Sequence, residues 1–154
     1  MAAGAFVFPD LAKLNFFNAT GLLAATAANF RLALVTNVYA PNNATDELWA
    51  AASANEIANG QGYTTGGIAL TGVALTQSAG TVKFTSAAAT WTASGTGIPA
   101  WRRGVVYYLG TLNGKVNPIV GHFLGDSTPA DVPLTTAGNP LTVTPHASGI
   151  LSAT

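Results

Sequence analysis

The two histidines are the first residues to consider for chemistry, because an imidazole can act as an acid, a base or a metal ligand near neutral pH. His122 lies in a strand-like stretch with the apolar Val120 and Leu124 on its face, and His146 follows Pro145 near the end of the chain. A single histidine on an apolar strand is typical of a structural hydrogen bond, and no nucleophile, zinc-binding or phosphate-binding motif accompanies either one. We therefore expect no catalytic residue, no metal site and no cofactor, in a protein that is not an enzyme.

Trp101, Arg102 and Arg103 form the one local concentration of charge beside an aromatic ring. Such a group can stack on a sugar or a base, or pair with a carboxylate of a partner. The Arg pair can also brace acidic residues of the same fold or of a neighbouring subunit, which is the simpler interpretation. Binding of single-stranded nucleic acid would need a whole groove of such groups, and the chain offers one.

Four glycines lie close together between Gly60 and Gly67. Their spacing differs from that of a phosphate-binding loop, and strand-like residues follow, so no helix N-terminus would face a phosphate. We expect a glycine-turned connection with positive φ angles at Gly66 and Gly67, where valine would impair folding. The acidic residues are scattered, and Asp126 and Asp131 in one loop are too few for a calcium site.

The composition is unusual in its small share of charged residues. Charged residues make up 8% of the 154 residues, six basic against six acidic, whereas ordinary domains contain about 25%. This excludes a basic nucleic-acid-binding protein, and the absence of Cys excludes a disulfide framework and a thiolate zinc site. Ala, Thr and Gly supply 29, 20 and 17 residues. A surface of this kind favours a chain that lives in an assembly, with a monomer coated by Thr, Ser and Asn as the alternative.

No stretch of the sequence reaches the ~18 apolar residues of a transmembrane helix. The apolar residues near Met1 follow no basic segment of the kind that begins a secretory signal. We therefore expect no membrane association, and synthesis in a cytoplasm.

Alternation of apolar and polar residues predicts about seven short strands. They lie over Phe30–Val38, Ile68–Leu75, Thr81–Thr85, Thr90–Thr92, Gly104–Leu109, Val116–Leu124 and Leu141–Thr144. Gly104–Leu109 is apolar on both faces, which is typical of a central strand, and Asn113-Gly114 is a strong hairpin signal. Short helices are predicted over 10–18 and 45–52, the second with Thr45 as its N-cap.

Short strands without long intervening helices predict a mainly β fold, either an antiparallel β-sandwich or an open barrel with one or two short helices. Residues 1–9 are predicted to form a flexible N-terminal arm, and residues 10–154 a single β-rich domain. A long loop rich in Gly, Pro, Thr and Asp is predicted over 125–140.

Several segments follow one another in a recognisable order. Asp10–Lys13 and Phe30–Tyr39 give an opening helix and strand, and Asn55–Val73 contains the specific run Gly-Gln-Gly-Tyr-Thr-Thr-Gly-Gly. Thr90–Ala93, Arg103–Tyr108 and a late Ala147–Leu151 complete the order. The pattern resembles a family of small tailed-bacteriophage virion proteins over most of residues 10–151. Acidic residues that the family carries near the Trp are replaced here by Ser and Ala, which affects the expected surface contacts more than the fold.

The resemblance implies a β-rich structural protein of the virion, in a family whose members are mostly unassigned in role. Our first expectation is a head decoration (cement) protein made in the host bacterial cytoplasm. It would bind the major capsid protein and copies of itself, as a homo-oligomer on the head surface. Because aromatic and Arg residues dominate interface energetics, seven residues are our candidates for contacts. These are Phe6, Phe8, Trp49, Tyr63, Trp101, Arg102 and Arg103. For Trp49, Tyr63 and Trp101 a place in the core is the favoured alternative.

Two other functions stay open. The protein could belong to the tail or neck of the particle, as a tube, adaptor or fibre-associated component. It could also be a receptor- or carbohydrate-binding β-sandwich that uses Trp101, Tyr63 and the loop over 125–140.

Overall fold

The computed structural model describes residues 3–7, 9, 29–78, 81–126, 128 and 130–153. Within these residues the chain forms twelve strands and one short helix. In chain order they are β1 (Phe6–Val7), β2 (Phe30–Val35), α1 (Ala50–Ser53), β3 (Ile68–Ala69), β4 (Ala74–Ser78), β5 (Thr81–Thr85), β6 (Ala89–Thr92), β7 (Arg103–Tyr108), β8 (Thr111–Leu112), β9 (Lys115–Val116), β10 (Ile119–Leu124), β11 (Pro140–Val143) and β12 (Leu151–Ala153). The predicted helix over 10–18 and the side chain of Phe8 lie outside the described residues.

The largest sheet contains five antiparallel strands in the order β1-β10-β7-β2-β3. Strand β7 occupies its middle, with five of its six residues buried, which confirms the central strand predicted from its apolar sequence. Strand β2 pairs with it along its whole length, from Phe30 opposite Tyr108 to Val35 opposite Arg103. Strand β2 ends three residues earlier than predicted, because the chain turns at Asn37.

The inner face of this sheet packs against a second layer that includes β5, β6 and β11. The ring of Phe30 lies 4.9 Å from that of Phe84 on β5 and 5.3 Å from that of Tyr108 on β7. Trp91 and Leu141 extend the same apolar core from β6 and β11. The predicted mainly β, antiparallel fold is confirmed, and seven of the strands have four residues or more.

The outer face of the five-stranded sheet has its own, smaller core. Ala33, Val35, Val105, Tyr107 and Ile119 contribute to it. The segment 39–53 covers these residues. The ring of Trp49 anchors the segment by stacking on the ring of Tyr107, with 4.7 Å between the ring centroids and 6° between the ring planes. The central sheet is therefore buried on both sides, which explains why its strands are apolar at successive positions.

The predicted helix over 45–52 is wrong in its bounds. Helix α1 covers only Ala50–Ser53, and Trp49, not Thr45, occupies the N-cap position without a side-chain capping bond. The preceding residues form a turn instead, in which the amides of Thr45 and Asp46 both donate to the carbonyl of Asn42. The carboxylate of Asp46 accepts the Asn42 amide in return, so the side chain fixes a turn where the sequence predicted a helix start.

The N-terminal residues also differ from the prediction of a flexible arm over 1–9. Phe6 and Val7 form an edge strand of the five-stranded sheet, opposite Phe123 and His122. A backbone bond from Gly4 to Leu124 extends the pairing. The predicted hairpin is confirmed, since Asn113 and Gly114 have φ angles of 50° and 75° in the turn between β8 and β9.

Candidate functional site

Polar side chains gather on the outer face of the sheet, beneath the covering segment 39–53. We call them the outer-face cluster: Tyr39, Asn43, Asp46, Arg103 and His122. His122 comes from β10 and Arg103 from β7, and the other three come from the covering segment. The cluster brings together one of the two candidate histidines and one of the two candidate arginines.

Within this cluster one hydrogen bond ties the covering segment to the sheet, and a second lies within the segment. Nε2 of His122 lies 3.0 Å from Oδ1 of Asn43. The neutral ring donates to this amide oxygen in the tautomer that carries its proton on Nε2. The hydroxyl of Tyr39 donates to Asp46 at 2.8 Å.

Burial governs the acid–base behaviour of the cluster. His122 is only 4% exposed, and this desolvation, reinforced by the charge of Arg103, lowers its pKa to about 4 while Asp46 opposes the change. Desolvation and the neighbouring charge of Arg102 lower the pKa of Arg103. The pKa of Tyr39 is raised, first by burial and then by its hydrogen bond to Asp46. At neutral pH the cluster therefore holds an uncharged imidazole and a protonated phenol.

Two nitrogen atoms of the cluster are buried without a partner among the described residues: Nδ1 of His122 and Nε of Arg103. A neutral imidazole under a bonded cover can stabilise the fold but offers no open approach to a substrate. Sequence reasoning predicted a structural role for His122. It missed Asn43 as the partner, because the two residues are 79 positions apart.

Three of the predicted contact aromatics belong to the core. Trp49, Tyr63 and Trp101 are 8%, 2% and 1% exposed. The hydroxyl of Tyr63 accepts the Leu34 amide at 3.0 Å and donates to Glu56 at 2.6 Å, so it joins the glycine loop to β2. These rings fill the interior of the chain itself, which removes them as contact residues on the described surface.

The two predicted arginines have different surroundings. Nε of Arg102 donates to Asp131 at 2.5 Å, and Asn37 donates to the same carboxylate at 3.2 Å. Arg102 thus pairs with an acid of its own chain, which is one of the two kinds of partner that the simpler interpretation allows. Arg103 is partly buried on the outer face, where Tyr39 lies close to it.

Phe6 is partly buried against the inner core. Its ring lies over Gly121, where any Cβ would overlap it, and 6.3 Å from the ring of Phe123. An isolated glycine inside an apolar strand indicates such a close approach, so Gly121 was the available sequence signal for this contact.

A small apolar cleft of about 30 Å³ opens beside Phe6, between the two layers. Its lining comes from the N-terminal residues, the inner face and the segment 143–150. It includes Ala3, Gly4, Leu32, Leu70, Val106, Phe123, Val143 and Ile150. With so few polar groups in the lining, the cleft suits an apolar side chain and offers little to orient a polar ligand.

The described residues contain no group of three or more His, Asp or Glu side chains placed to hold a metal ion. Nor does the described part of the chain contain a helix with the length and apolar character needed to cross a bilayer.

Comparisons with known proteins find no match to this chain among family models, curated proteins or solved structures. The resemblance to tailed-phage virion proteins therefore stays a prediction, which rests on the residues given above.

Proposed function

We propose that this chain is a non-enzymatic structural protein of a tailed-phage virion, and that it decorates the head by binding the major capsid protein and copies of itself. The order of motifs from Asp10 to Leu151 supports the virion setting. The low charge supports an assembled state, since little electrostatic repulsion keeps copies apart.

The use of the carboxylates is the observation that carries a structural role. All five described Asp and Glu residues accept hydrogen bonds from other groups of the chain. They are Asp46, Glu47, Glu56, Asp126 and Asp131. Carboxylates committed to holding loops are typical of a scaffold, whereas a catalytic pair needs at least one carboxylate that faces a substrate.

Three of the exposed apolar side chains lie on loops and at the β8–β9 hairpin, away from both cores. Val38 is 72% exposed, Val116 60% and Leu134 48%. Such residues can be buried where the chain contacts a capsid lattice. A standard interface buries about 1,600 Å², and several copies could share that area. The carbohydrate-binding alternative loses support, because its aromatic candidates Trp101 and Tyr63 are buried.

The test is to label the chain on intact particles with a specific antibody and image them. Label spread over the head is the expected result, and removal of the protein should then lower the temperature at which the shell releases its genome. Label confined to the tail or neck would replace decoration by the tail alternative. Particles that carry no label at all would refute the virion role.

A further inference from the structure

Strand β1 is held by a small binding surface on the edge of β10, formed by residues 121–124, which we call the seat. Two residue pairs form its register, Phe6 with Phe123 and Val7 with His122. The amide of Gly4 donates to the carbonyl of Leu124 at 2.9 Å. Val7 is 38% exposed, so only one side of the strand is buried against the body.

The seat is shaped for the ring of Phe6. Gly121 leaves the space that this ring occupies, and the ring of Phe123 lies in turn over Gly104 on β7. Ala3 and Gly4 line the apolar cleft next to the ring. The seat is therefore a pocket for one aromatic side chain with a backbone edge beside it, which is the chemistry of strand addition.

The chain between β1 and β2 is long compared with the strand it carries. Twenty-two residues separate Val7 from Phe30 in the sequence. That number of residues can span at most about 75 Å, which is more than the distance between neighbouring small domains in contact. The seat on a second copy is thus within covalent reach of β1.

We propose that β1 is exchanged between copies of this chain, so that in the assembled state residues 3–7 of one copy occupy the β10 seat of another. The exchanged strand makes the same contacts as the closed one, and a strand swapped in this way joins copies at little cost. A tethered strand competes at an effective concentration on the order of millimolar. Closed chains therefore predominate in dilute solution, and exchange becomes extensive where copies are crowded.

This inference rests on the proposed function only for the crowding of copies, and it can be tested on the purified chain. A Cβ at position 4 would lie 3.4 Å from the Cβ of Leu124, close to the ~3.8 Å of a disulfide. The natural chain contains no Cys. A tagged Gly4→Cys chain and an untagged Leu124→Cys chain are mixed, incubated at micromolar and at millimolar concentration, and oxidised.

Exchange predicts a disulfide-linked heterodimer that is at least tenfold more abundant at the higher concentration. Ser94→Cys, at an exposed loop residue, replaces the Leu124 variant as the matched control for random coupling. A heterodimer yield no higher than that of the Ser94 control would overturn the proposal.

The double variant Gly4→Cys with Leu124→Cys checks that the cysteine pair can form. In dilute solution it should give an internally linked monomer, and a chain that folds without this link would refute the seat on which the exchange depends. The outcome is separate from the particle labelling. A protein outside the virion could still exchange β1, and a head protein could keep it closed.

Discussion

At the scale of single residues, the burial of His122 makes the stability of the fold depend on pH. The pKa of this residue is about 4 in the folded chain, against an ordinary value of 6.5. The unfolded chain therefore binds a proton first as the pH falls, and stability present above pH 6.5 is lost between pH 6.5 and 4. The gap corresponds to about 3 kcal/mol of the free energy of unfolding.

We expect His122→Gln to remove this part of the pH dependence. Denaturant unfolding of the natural chain and the variant, measured from pH 7 to 4, gives the difference after the shared titration of carboxylates cancels. His146→Gln, at an exposed position, should keep the natural dependence. An equal loss of stability in the His122 variant and the natural chain would show that another group carries the effect.

At the scale of elements, the glycine loop before β3 is held against β2 by close backbone contact. Gly67 has a φ of 72°, and a Cβ there would overlap the carbonyl oxygen of Leu32. Gly60 has a φ of 106° but no atom within 4 Å of such a Cβ. We expect Gly60→Ala to lower the free energy of unfolding by about 1–2 kcal/mol, the cost of a left-handed alanine.

Gly67→Ala should lower the free energy of unfolding by clearly more than Gly60→Ala does, because the loop must also move away from β2. Thermal unfolding of the two alanine variants measures the comparison, with Gly67→Val expected to fold worst. Equal melting temperatures for the Gly60 and Gly67 variants would contradict the role of close contact, even if both were less stable than the natural chain.

The elements show how far the sequence could predict this fold. Strand β7 and the Asn113-Gly114 hairpin follow from local pattern, because alternation and turn chemistry act over a few residues. The helix predicted from Thr45 does not form there. The Asp46 carboxylate instead accepts the Asn42 amide and the Tyr39 hydroxyl, and these bonds hold the segment in a turn. Tertiary contacts override weak helical preferences in this way.

The candidate site was harder to predict than the strands. The backbone of Trp101 pairs with that of Val132 across a loop of the chain, and the ring of Trp101 is buried in the core. A pattern of neighbouring residues contains no information about a partner 31 positions away. For the same reason the sequence could place Arg102 and Arg103 together but could not show that only Arg102 pairs with Asp131.

At the scale of the whole molecule, the described ion pairs form between residues of the same chain. Arg102 pairs with Asp131 and Lys115 with Glu47, which leaves little charge for contacts between copies. We expect self-association of the purified chain to change less than about threefold between 0.1 and 1 M NaCl, since salt screens exposed charges but weakens apolar contacts little. Sedimentation velocity at the two salt concentrations measures this, and oligomers that dissociate in high salt would indicate charge pairing instead.

Strand β2 pairs with β3 only at Arg31 and Leu32. Beyond Leu32, groups outside the named strands bond to the backbone along this edge of β2, the edge opposite β7. The Leu34 amide donates to the Tyr63 hydroxyl, and its carbonyl accepts the Ile57 amide. An unoccupied edge at this position would be a template on which further chains could add indefinitely as fibrils. In this chain the Tyr63 hydroxyl and the Ile57 amide occupy that position, so the Leu34 backbone groups are not free to pair with a second chain.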